Sequence, residues 1–370
     1  MTGTIRADHV GSLLRPPEVL AAQQALREGR GTPDAVRTIE DRAILDALAL
    51  QRAAGLDVFS DGEFRRRAWA SDFGEAVDGY VDGSAPVTLA WRGGRQASAT
   101  PPAVPGRVIG ERLRQRRRLT AHESAFLKAH APGTFKITLP APSYVVARGY
   151  KPGVTDKVYP TRADLMRDVL AIYQAEIQAL VAEGVPYIQL DNPHYPDYIE
   201  PSRLEQWRAI GVDPDQALVE DIAADSAAFQ DVDPQRVTRA LHICRGNGRS
   251  AWHTQGGYER IAERVFGGLD VDVFLLEYDS DRAGGFEPLR FVPKGKTAVL
   301  GLVTTKVGDL ETEDLLRRRI DEAAQFMAAE DLALSPQCGF ASMSQGNLLS
   351  WEDQRRKLEL VAETARKVWG

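Results

Sequence analysis

The 370-residue chain contains only two cysteines, no excess of basic residues and no long apolar run. Cys244 and Cys338 could form one disulfide bond at most, and thiols in the cytosol are normally reduced, so disulfides are not the main source of stability. Acidic residues outnumber basic residues by 52 to 46, which gives a net charge of −6. That balance argues against nucleic acid or an anionic membrane surface as a partner.

The sequence also leads us to expect no targeting or anchoring segment. No apolar run reaches the ~18 residues of a membrane-spanning helix. Arg6 and Asp8 lie where a signal peptide would be apolar. We therefore expect a cytoplasmic protein that acts on small molecules and binds neither nucleic acid nor membranes, and we leave open whether it forms a homo-oligomer.

What the sequence does contain is an alternation of short apolar runs with amphipathic stretches, in a composition that is 43% hydrophobic. The runs predict eight strands, at residues 4–9, 56–60, 134–139, 186–190, 237–244, 271–277, 297–303 and 332–335. Strands that are apolar on both faces and alternate with helices are typical of a parallel sheet buried between helices. Eight such units predict an α/β fold, a (β/α)8 TIM barrel, as a single domain over residues 1–370. A doubly wound open sheet is the alternative.

One gap between strands is irregular. Residues 80–120, between the second and third strands, contain clusters of Gly, Pro and Ser followed by a basic run at residues 112–118. We interpret them as an insertion with a hairpin around Gly93 and Gly94, followed by the start of a helix. The basic run is then expected to be a solvated helix face, and the insertion is a candidate lid or oligomer contact.

Four residues at predicted strand ends offer the ligand types of a zinc site. His242 and Cys244 are two residues apart, so a strand directs both side chains to one face. Glu277 ends the sixth strand and Cys338 follows the eighth. Two sulfurs, an imidazole and a carboxylate suit tetrahedral zinc. The alternative is a buried core histidine, two buried thiols and an ion-paired glutamate.

The sequence also contains a possible nucleotide-binding loop and histidines that could transfer a proton. Gly246, Gly248 and Ala251 fit the G-x-G-x-x-A pattern of a dinucleotide site, but no other open-sheet signature accompanies them. His9, His194 and His253 lie near predicted strand ends or in loops; each could carry a proton, although packing within a polar loop is the more common role.

Six of the strand-end segments together resemble a known family. They are HVGSLLRP, SDGEF, QLDNP, HICRGN, LEYDSD and SPQCGF. They are similar to the C-terminal catalytic barrel of cobalamin-independent methionine synthase, and still more to its short single-barrel relatives, from about residue 5 to the end. The resemblance implies zinc as cofactor. It implies that the zinc ligands are His242, Cys244, Glu277 and Cys338, and that the residues binding the amino-acid thiol are Ser12, Glu63 and Asp191.

The chemistry of sulfur alkylation is consistent with this assignment. A free thiol has a pKa of ~8.5 and is mostly protonated at neutral pH, whereas zinc coordination removes the proton and holds the sulfur for attack. Glu63 and Asp191 suit the ammonium of an amino acid such as homocysteine, and backbone groups near Gly11 and Ser12 suit its carboxylate. Turn, cap and ion-pair roles are the alternative for these side chains.

The chain departs from the family in the half of the site that would hold the methyl donor. At the seventh strand end the family's catalytic histidine is replaced by Thr304, Thr305 and Lys306. The family's tryptophan beside the folate has no clear equivalent, although Tyr144 could offer a flat surface. The candidate catalytic residues are therefore Asp191, His194 and Lys306. The partners are expected to be a small thiol and a methyl donor.

The sequence thus predicts zinc-dependent methyl transfer to a thiol, homocysteine first, giving methionine. The first alternative is zinc-dependent alkylation of another thiol by a non-folate electrophile, as in epoxyalkane:coenzyme M transferases. The second is a non-catalytic barrel with a structural zinc, but four ligands spread over residues 242–338 at the catalytic face disfavour it.

Overall fold

A parallel sheet forms the centre of the computed structural model, which describes residues 5–86, 89–93 and 106–370. The sheet has six strands, and each is hydrogen-bonded to the next in chain order. They are β3 (Lys136–Pro140), β4 (Tyr187–Asp191), β5 (Thr238–Ile243), β6 (Val273–Glu277), β7 (Thr297–Val303) and β8 (Leu332–Pro336), while β1 (Val77–Asp82) and β2 (Arg107–Gln115) pair separately. Strands buried on both faces confirm the predicted α/β fold with a parallel sheet.

Helices follow most of the strands of the sheet. They are α1 (Pro17–Arg27), α2 (Pro33–Ala54), α3 (Ser71–Ala76), α4 (Ala121–His130), α5 (Pro142–Gly149), α6 (Arg162–Glu183), α7 (Pro201–Ala209), α8 (Pro214–Ala227), α9 (Glu259–Gly268), α10 (Glu313–Ala323) and α11 (Trp351–Trp369). Capping boxes at Thr161 and Ser350 satisfy free backbone N–H groups where α6 and α11 begin. None of the helices in the described ranges is long and apolar enough to cross a membrane.

The two predicted N-terminal strands are reduced to single bridges at the sheet edges. Ala7 pairs in parallel with Leu334 of β8, and Phe59 pairs in parallel with Phe135 next to β3. The backbone N–H of Asp57 donates to the Ala7 carbonyl at 3.1 Å, which links the two segments to each other.

A side chain explains why these segments do not form a longer ladder. The Asp57 carboxylate accepts the backbone N–H groups of Arg6 and Ala7 at 2.7 and 2.9 Å. These donors are satisfied by a carboxylate rather than by neighbouring carbonyls, so the prediction of regular strands was wrong for residues 5–9 and 56–60. Residue 4 of the first predicted strand lies outside the described residues.

The region predicted as an insertion contains an antiparallel pair. In that pair β1 aligns with β2 from Val77 opposite Gln115 to Asp82 opposite Arg107. The predicted turn at Gly93 and Gly94 falls partly on residues 94–105, outside the described residues. The prediction that the basic run is helical was wrong, since its first residues belong to β2 and α4 begins only at Ala121. Its solvation is confirmed, because consecutive residues on both faces of this end of β2 and just after it are exposed.

Candidate active site

A cavity of about 100 Å³ lies where β4, β5 and β8 end at their carboxyl edge. Most of the residues predicted to form a site converge on it. Those in its lining are Ser12, Glu63, Asp191, His242, Cys244 and Cys338. This is the edge of a parallel α/β sheet at which functional side chains usually collect, because every strand ends there.

Three of the four predicted zinc ligands form one compact group. The ligand atoms of His242, Cys244 and Cys338 all lie within 4.8 Å of one another, and the three residues are buried. The Nδ1 of His242 hydrogen-bonds the Leu275 carbonyl at 3.1 Å, which fixes the ring. Its Nε2 is buried without a hydrogen-bond partner among the described residues. A buried nitrogen without a partner beside two sulfurs fits a metal such as zinc.

The two thiols differ in their electrostatic environment. A hydrogen bond from Cys244, followed by the nearby His242 imidazole, holds the pKa of Cys338 well below its usual value. The same hydrogen bond, together with burial, raises the pKa of Cys244 well above its usual value. The pair therefore holds one thiolate readily, and a second thiolate needs a further positive charge.

The fourth predicted ligand, Glu277, is not brought into that group. Its Oε2 accepts the backbone N–H of Arg245 at 2.7 Å, and its Oε1 accepts the Arg282 guanidinium at 2.7 and 3.1 Å. Burial raises the pKa of Glu277, but Lys306, Arg282 and Arg245 together lower it below its usual value. Glu277 is therefore an ionised carboxylate at the end of β6, paired with an arginine.

Two buried carboxylates face the cavity with one oxygen each committed to the protein. The Oε1 of Glu63 accepts the Thr138 hydroxyl at 2.9 Å, while Oε2 is buried without a partner in the described ranges. Asp191 accepts the Gln189 amide at 2.7 Å. Burial raises the pKa of Glu63 to about 7 and that of Asp191 to about 6. Glu63 also has a positive φ of 59°, a strained conformation that persists mainly where it serves a site.

Close backbone approach places Ser12 in the lining. Its Oγ accepts the backbone N–H of Ala341 at 3.3 Å. A Cβ atom on Gly339 would lie 2.0 Å from that oxygen, so only glycine lets the loop after β8 pack against Ser12.

Of the predicted proton carriers, Lys306 adjoins the cavity and His194 does not. The Nζ of Lys306 donates to the Gly246 carbonyl at 3.2 Å and to Asn247 Oδ1 at 3.3 Å, and both of these residues line the cavity. His194 lies outside the lining, with its Nδ1 3.0 Å from Asp197 and its Nε2 3.1 Å from Asp221. The structure therefore gives His194 two carboxylate partners and no access to the cavity.

Sequence reasoning missed the aromatic wall of the cavity. Trp69, Trp91 and Met343 line it, and Trp69 packs on Tyr144 with ring centroids 4.7 Å apart. Trp91 belongs to the region predicted as an insertion, and its ring meets His253 edge-on at 5.2 Å. An isolated tryptophan in a Gly- and Pro-rich stretch was the available signal.

His253, for which the sequence allowed either a proton-transfer role or packing within a loop, lines the cavity as well. Burial lowers its pKa to about 3, so the ring is neutral at pH 7.

The segment that matches the dinucleotide-binding pattern has its own local structure, since Gly248 and Ala251 exchange backbone hydrogen bonds of 3.0 and 2.9 Å. The next α-helix, α9, begins only at Glu259, so these glycines do not open a helix as a dinucleotide fingerprint requires.

A second group of potential metal ligands is neutralised by the chain itself. Asp72, His122 and Glu123 lie close together. Arg66 Nε is 2.6 Å from Asp72 Oδ2 and donates to Glu123 Oε1 at 2.7 Å. A guanidinium already supplies the positive charge there, so this group does not resemble a cation site.

Comparison with known proteins identifies relatives over nearly the whole chain. Residues 5–367 match the family model described as the catalytic domain of cobalamin-independent synthase. The uncharacterized Bacillus subtilis proteins YxjH and YxjG are 39% and 38% identical to it, each covering 98% of this chain and 94% of the relative. The 5-methyltetrahydropteroyltriglutamate–homocysteine methyltransferase of Nitratidesulfovibrio vulgaris is 24% identical over 99% of this chain, which spans 42% of that enzyme.

Two solved structures share the architecture. A Listeria monocytogenes protein provisionally named vitamin-B12-independent methionine synthase superposes with a TM-score of 0.76 at 28% identity, covering 100% of this chain and 99% of its own. A B12-independent methionine synthase from Shewanella sp. W3-18-1, solved with selenomethionine, gives a TM-score of 0.72 at 19% identity, with 99% and 98% coverage. The second likeness bears on the fold alone.

Proposed function

This chain belongs to the family of cobalamin-independent synthase catalytic domains, and from that premise we propose that it methylates a thiol, homocysteine in the first instance, to give methionine. It is a methyltransferase of the methionine synthase type, and the resemblance found in its sequence is thereby confirmed. The observation that carries the proposal is the buried group of His242, Cys244 and Cys338, with an imidazole nitrogen left without a partner.

Zinc is the proposed cofactor. His242 Nε2 and the sulfurs of Cys244 and Cys338 would hold it, and Glu277 is the proposed fourth ligand, for which its pairing with Arg282 would have to loosen. When bound, zinc supplies the deprotonation of the substrate thiol at neutral pH. The protein's own part is to keep these ligands buried and to exclude water from the sulfur.

Asp191 and Glu63 are proposed to bind the ammonium of the substrate. Each has an oxygen bound to the protein, Asp191 by Gln189 and Glu63 by Thr138. Their pKa values of about 6 and 7 mean that an adjacent cation ionises both near neutral pH. Ser12 and its neighbouring backbone are proposed to take the substrate carboxylate.

The donor is proposed to lie against the aromatic wall of Trp69 and Trp91. Lys306 adjoins the cavity, where its Nζ donates to the Gly246 carbonyl. It is proposed to offset the negative charge of the thiolates and Glu277. This apolar wall also favours the second candidate function, alkylation of another thiol by a non-folate electrophile. Glu63 and Asp191 would repel a sulfonate, which disfavours coenzyme M as that thiol.

A closed barrel is the proposed architecture behind this site. The bridges of Ala7 and Phe59 at opposite sheet edges support closure of the six strands into an eight-stranded ring. We propose residues 1–370 as one such domain, with residues 80–120 inserted in it. A cytoplasmic location stays a prediction.

The test is zinc content followed by thiol titration. We expect about one zinc per chain, loss of most of it in Cys338→Ser, and retention in Ser342→Ala, whose hydroxyl lies 3.9 Å from the Cys338 sulfur. Homocysteine should then alter the absorption spectrum of the cobalt-substituted protein. Full zinc in Cys338→Ser would remove that ligand, and a wild-type chain that binds no zinc would refute the proposed function.

A further inference from the structure

Beneath the cavity, a line of buried side chains runs from Asp191 into the interior of the sheet. Gln189 precedes Asp191 by two residues on β4, so both side chains project from the same face of the strand. The Nε2 of Gln189 donates to Asp191 Oδ1 and to the Val10 carbonyl, both at 2.7 Å. Its Oε1 accepts the Nζ of Lys136 at 2.8 Å. All of these side-chain groups are at least 94% buried.

The orientation of the Gln189 amide is dictated from both ends. Lys136 is an ammonium with three donors and no acceptor, so it can only face the amide oxygen. Asp191 and the Val10 carbonyl are acceptors, so they can only face the amide nitrogen. A flipped amide would lose all three hydrogen bonds and set like groups against each other.

Lys136 is itself fully committed. Besides Gln189, its Nζ donates to Asp8 Oδ1 at 2.7 Å and to the His9 carbonyl. Asp8 in turn accepts the Tyr187 hydroxyl at 3.0 Å. Three donors meet three acceptors, so the ammonium has no spare hydrogen with which to follow another arrangement.

We propose that Gln189 and Lys136 are positioning residues that hold the Asp191 carboxylate for the substrate ammonium, an inference that rests on the proposed function. The amide occupies Asp191 Oδ1 with a donor and leaves Oδ2 for the ligand. The same amide binds the Val10 carbonyl, two residues before Ser12, and so fixes the spacing between the proposed ammonium and carboxylate sites. The arrangement selects an amino-acid thiol over an uncharged one.

The decisive variant is Gln189→Met, which keeps the length of the side chain but removes the donor toward Asp191. Gln189→Glu is unsuitable, because a buried carboxyl beside Asp191 takes up a proton and can donate in place of the amide. In the zinc-loaded protein, calorimetry should show about a tenfold or greater loss of affinity for homocysteine and little change for 2-mercaptoethanol. Lys136→Met should show the same selectivity, which keeps the test available if one variant does not fold. The matched control is Glu176→Gln, a buried hydrogen-bonded side chain on α6 that should lower the Tm and leave both affinities unchanged.

The outcomes separate this inference from the function on which it rests. Equal losses for both thiols in Gln189→Met, or no loss for either, would overturn the positioning role. Asp191→Asn serves as the reference, since it should lose homocysteine selectively whether or not Gln189 positions it. If Asp191→Asn is not selective, the proposed ammonium site is wrong.

Discussion

At the scale of single residues, His194 shows how two carboxylates can hold a buried histidine in place. Burial lowers its pKa, but hydrogen bonds to Asp197 and Asp221 raise it above the usual value of 6.5. Its ring also packs against Trp207 with centroids 5.2 Å apart. The folded protein thus binds a proton at His194 more tightly than the unfolded chain does.

This linkage has a defined sign and predicts a pH-dependent stability. Because the folded pKa is raised, the stabilisation is fully present below pH ~6.5 and is lost as the pH rises through the folded pKa. His194→Gln should therefore lower the Tm by about 2 °C or more at pH 5.5 and by less at pH 8.5, measured by calorimetry. Its kcat should be unchanged at neutral pH. A variant with normal Tm at both pH values and a collapsed kcat would return His194 to a catalytic role.

The residues of the site were predictable where their position along a strand decides their location. His242, Cys244 and Cys338 could be grouped from the sequence because the ends of neighbouring strands meet at one edge. The pairing of Glu277 with Arg282 could not, because it depends on which rotamer meets which neighbour across a loop. The exclusion of His194 has the same origin, since its partner Asp221 lies on α8, 27 residues away.

At the scale of elements, the hydrophobic periodicity of the sequence predicted the helices and the central strands correctly. It failed at the edges of the sheet, where a side chain takes the backbone hydrogen-bond donors that a strand would use. The predicted strand at 186–190 became β4 almost unchanged, because each residue is buried between helices. The segment at 4–9 kept one bridge, because the Asp57 carboxylate takes its backbone donors. A basic run such as 112–118 reads equally well as an exposed helix or an exposed strand, and only its pairing with β1 decides between them.

One described segment of the predicted insertion, residues 89–93, docks on the loop after β5. Arg92 forms an antiparallel bridge with Trp252, with backbone hydrogen bonds of 2.7 and 3.0 Å. The face of the Trp252 ring also receives the Arg282 guanidinium at 4.7 Å. This segment thus contacts Trp252, whose ring meets the arginine paired with Glu277, and it also carries Trp91 into the cavity lining.

The position of Trp91 predicts a defect in binding rather than in metal content. Trp91→Ala should raise the KM of the methyl donor about tenfold, since one aromatic contact contributes roughly 1 kcal/mol beyond its buried area, and it should leave zinc content unchanged. Trp369→Ala is the matched control, because that ring lies on α11 beside Arg6 and away from the cavity. An unchanged KM, or loss of zinc, would show that Trp91 does not form the donor wall.

At the scale of the whole molecule, the two halves of the site are built differently. The thiol half collects buried ionisable groups on strand ends, which a network through Gln189 and Lys136 ties to the interior of the sheet. The proposed donor half is apolar and is formed by loops, including residue 91. Strands fix geometry better than loops do, which is the basis for our proposal that the thiol half is retained while the donor differs.

Proton supply decides which donor fits. A folate leaving group needs a proton as its C–N bond breaks, whereas a sulfonium leaves as a neutral thioether. Once an ammonium is bound, Glu63 and Asp191 are ionised, and burial keeps His253 neutral with a pKa of about 3. With His242 bound to zinc as proposed, the cavity lining, as far as the chain is described, then offers neither a protonated carboxyl nor an imidazolium.

We therefore predict slow turnover with monoglutamyl methyltetrahydrofolate and at least tenfold faster turnover with an activated sulfonium donor such as S-methylmethionine. Steady-state assays with homocysteine and each donor in turn measure this, with zinc content held equal. Lys306→Ala should weaken both reactions, because its cation adjoins Glu277 and the thiolates whichever donor is used. Fast turnover with methylfolate that survives Lys306→Ala would mean that an acid reaches the donor from elsewhere in the chain. His194→Ala then tests the remaining candidate, since a collapse of that activity would require the ring to leave Asp197 and Asp221 during turnover.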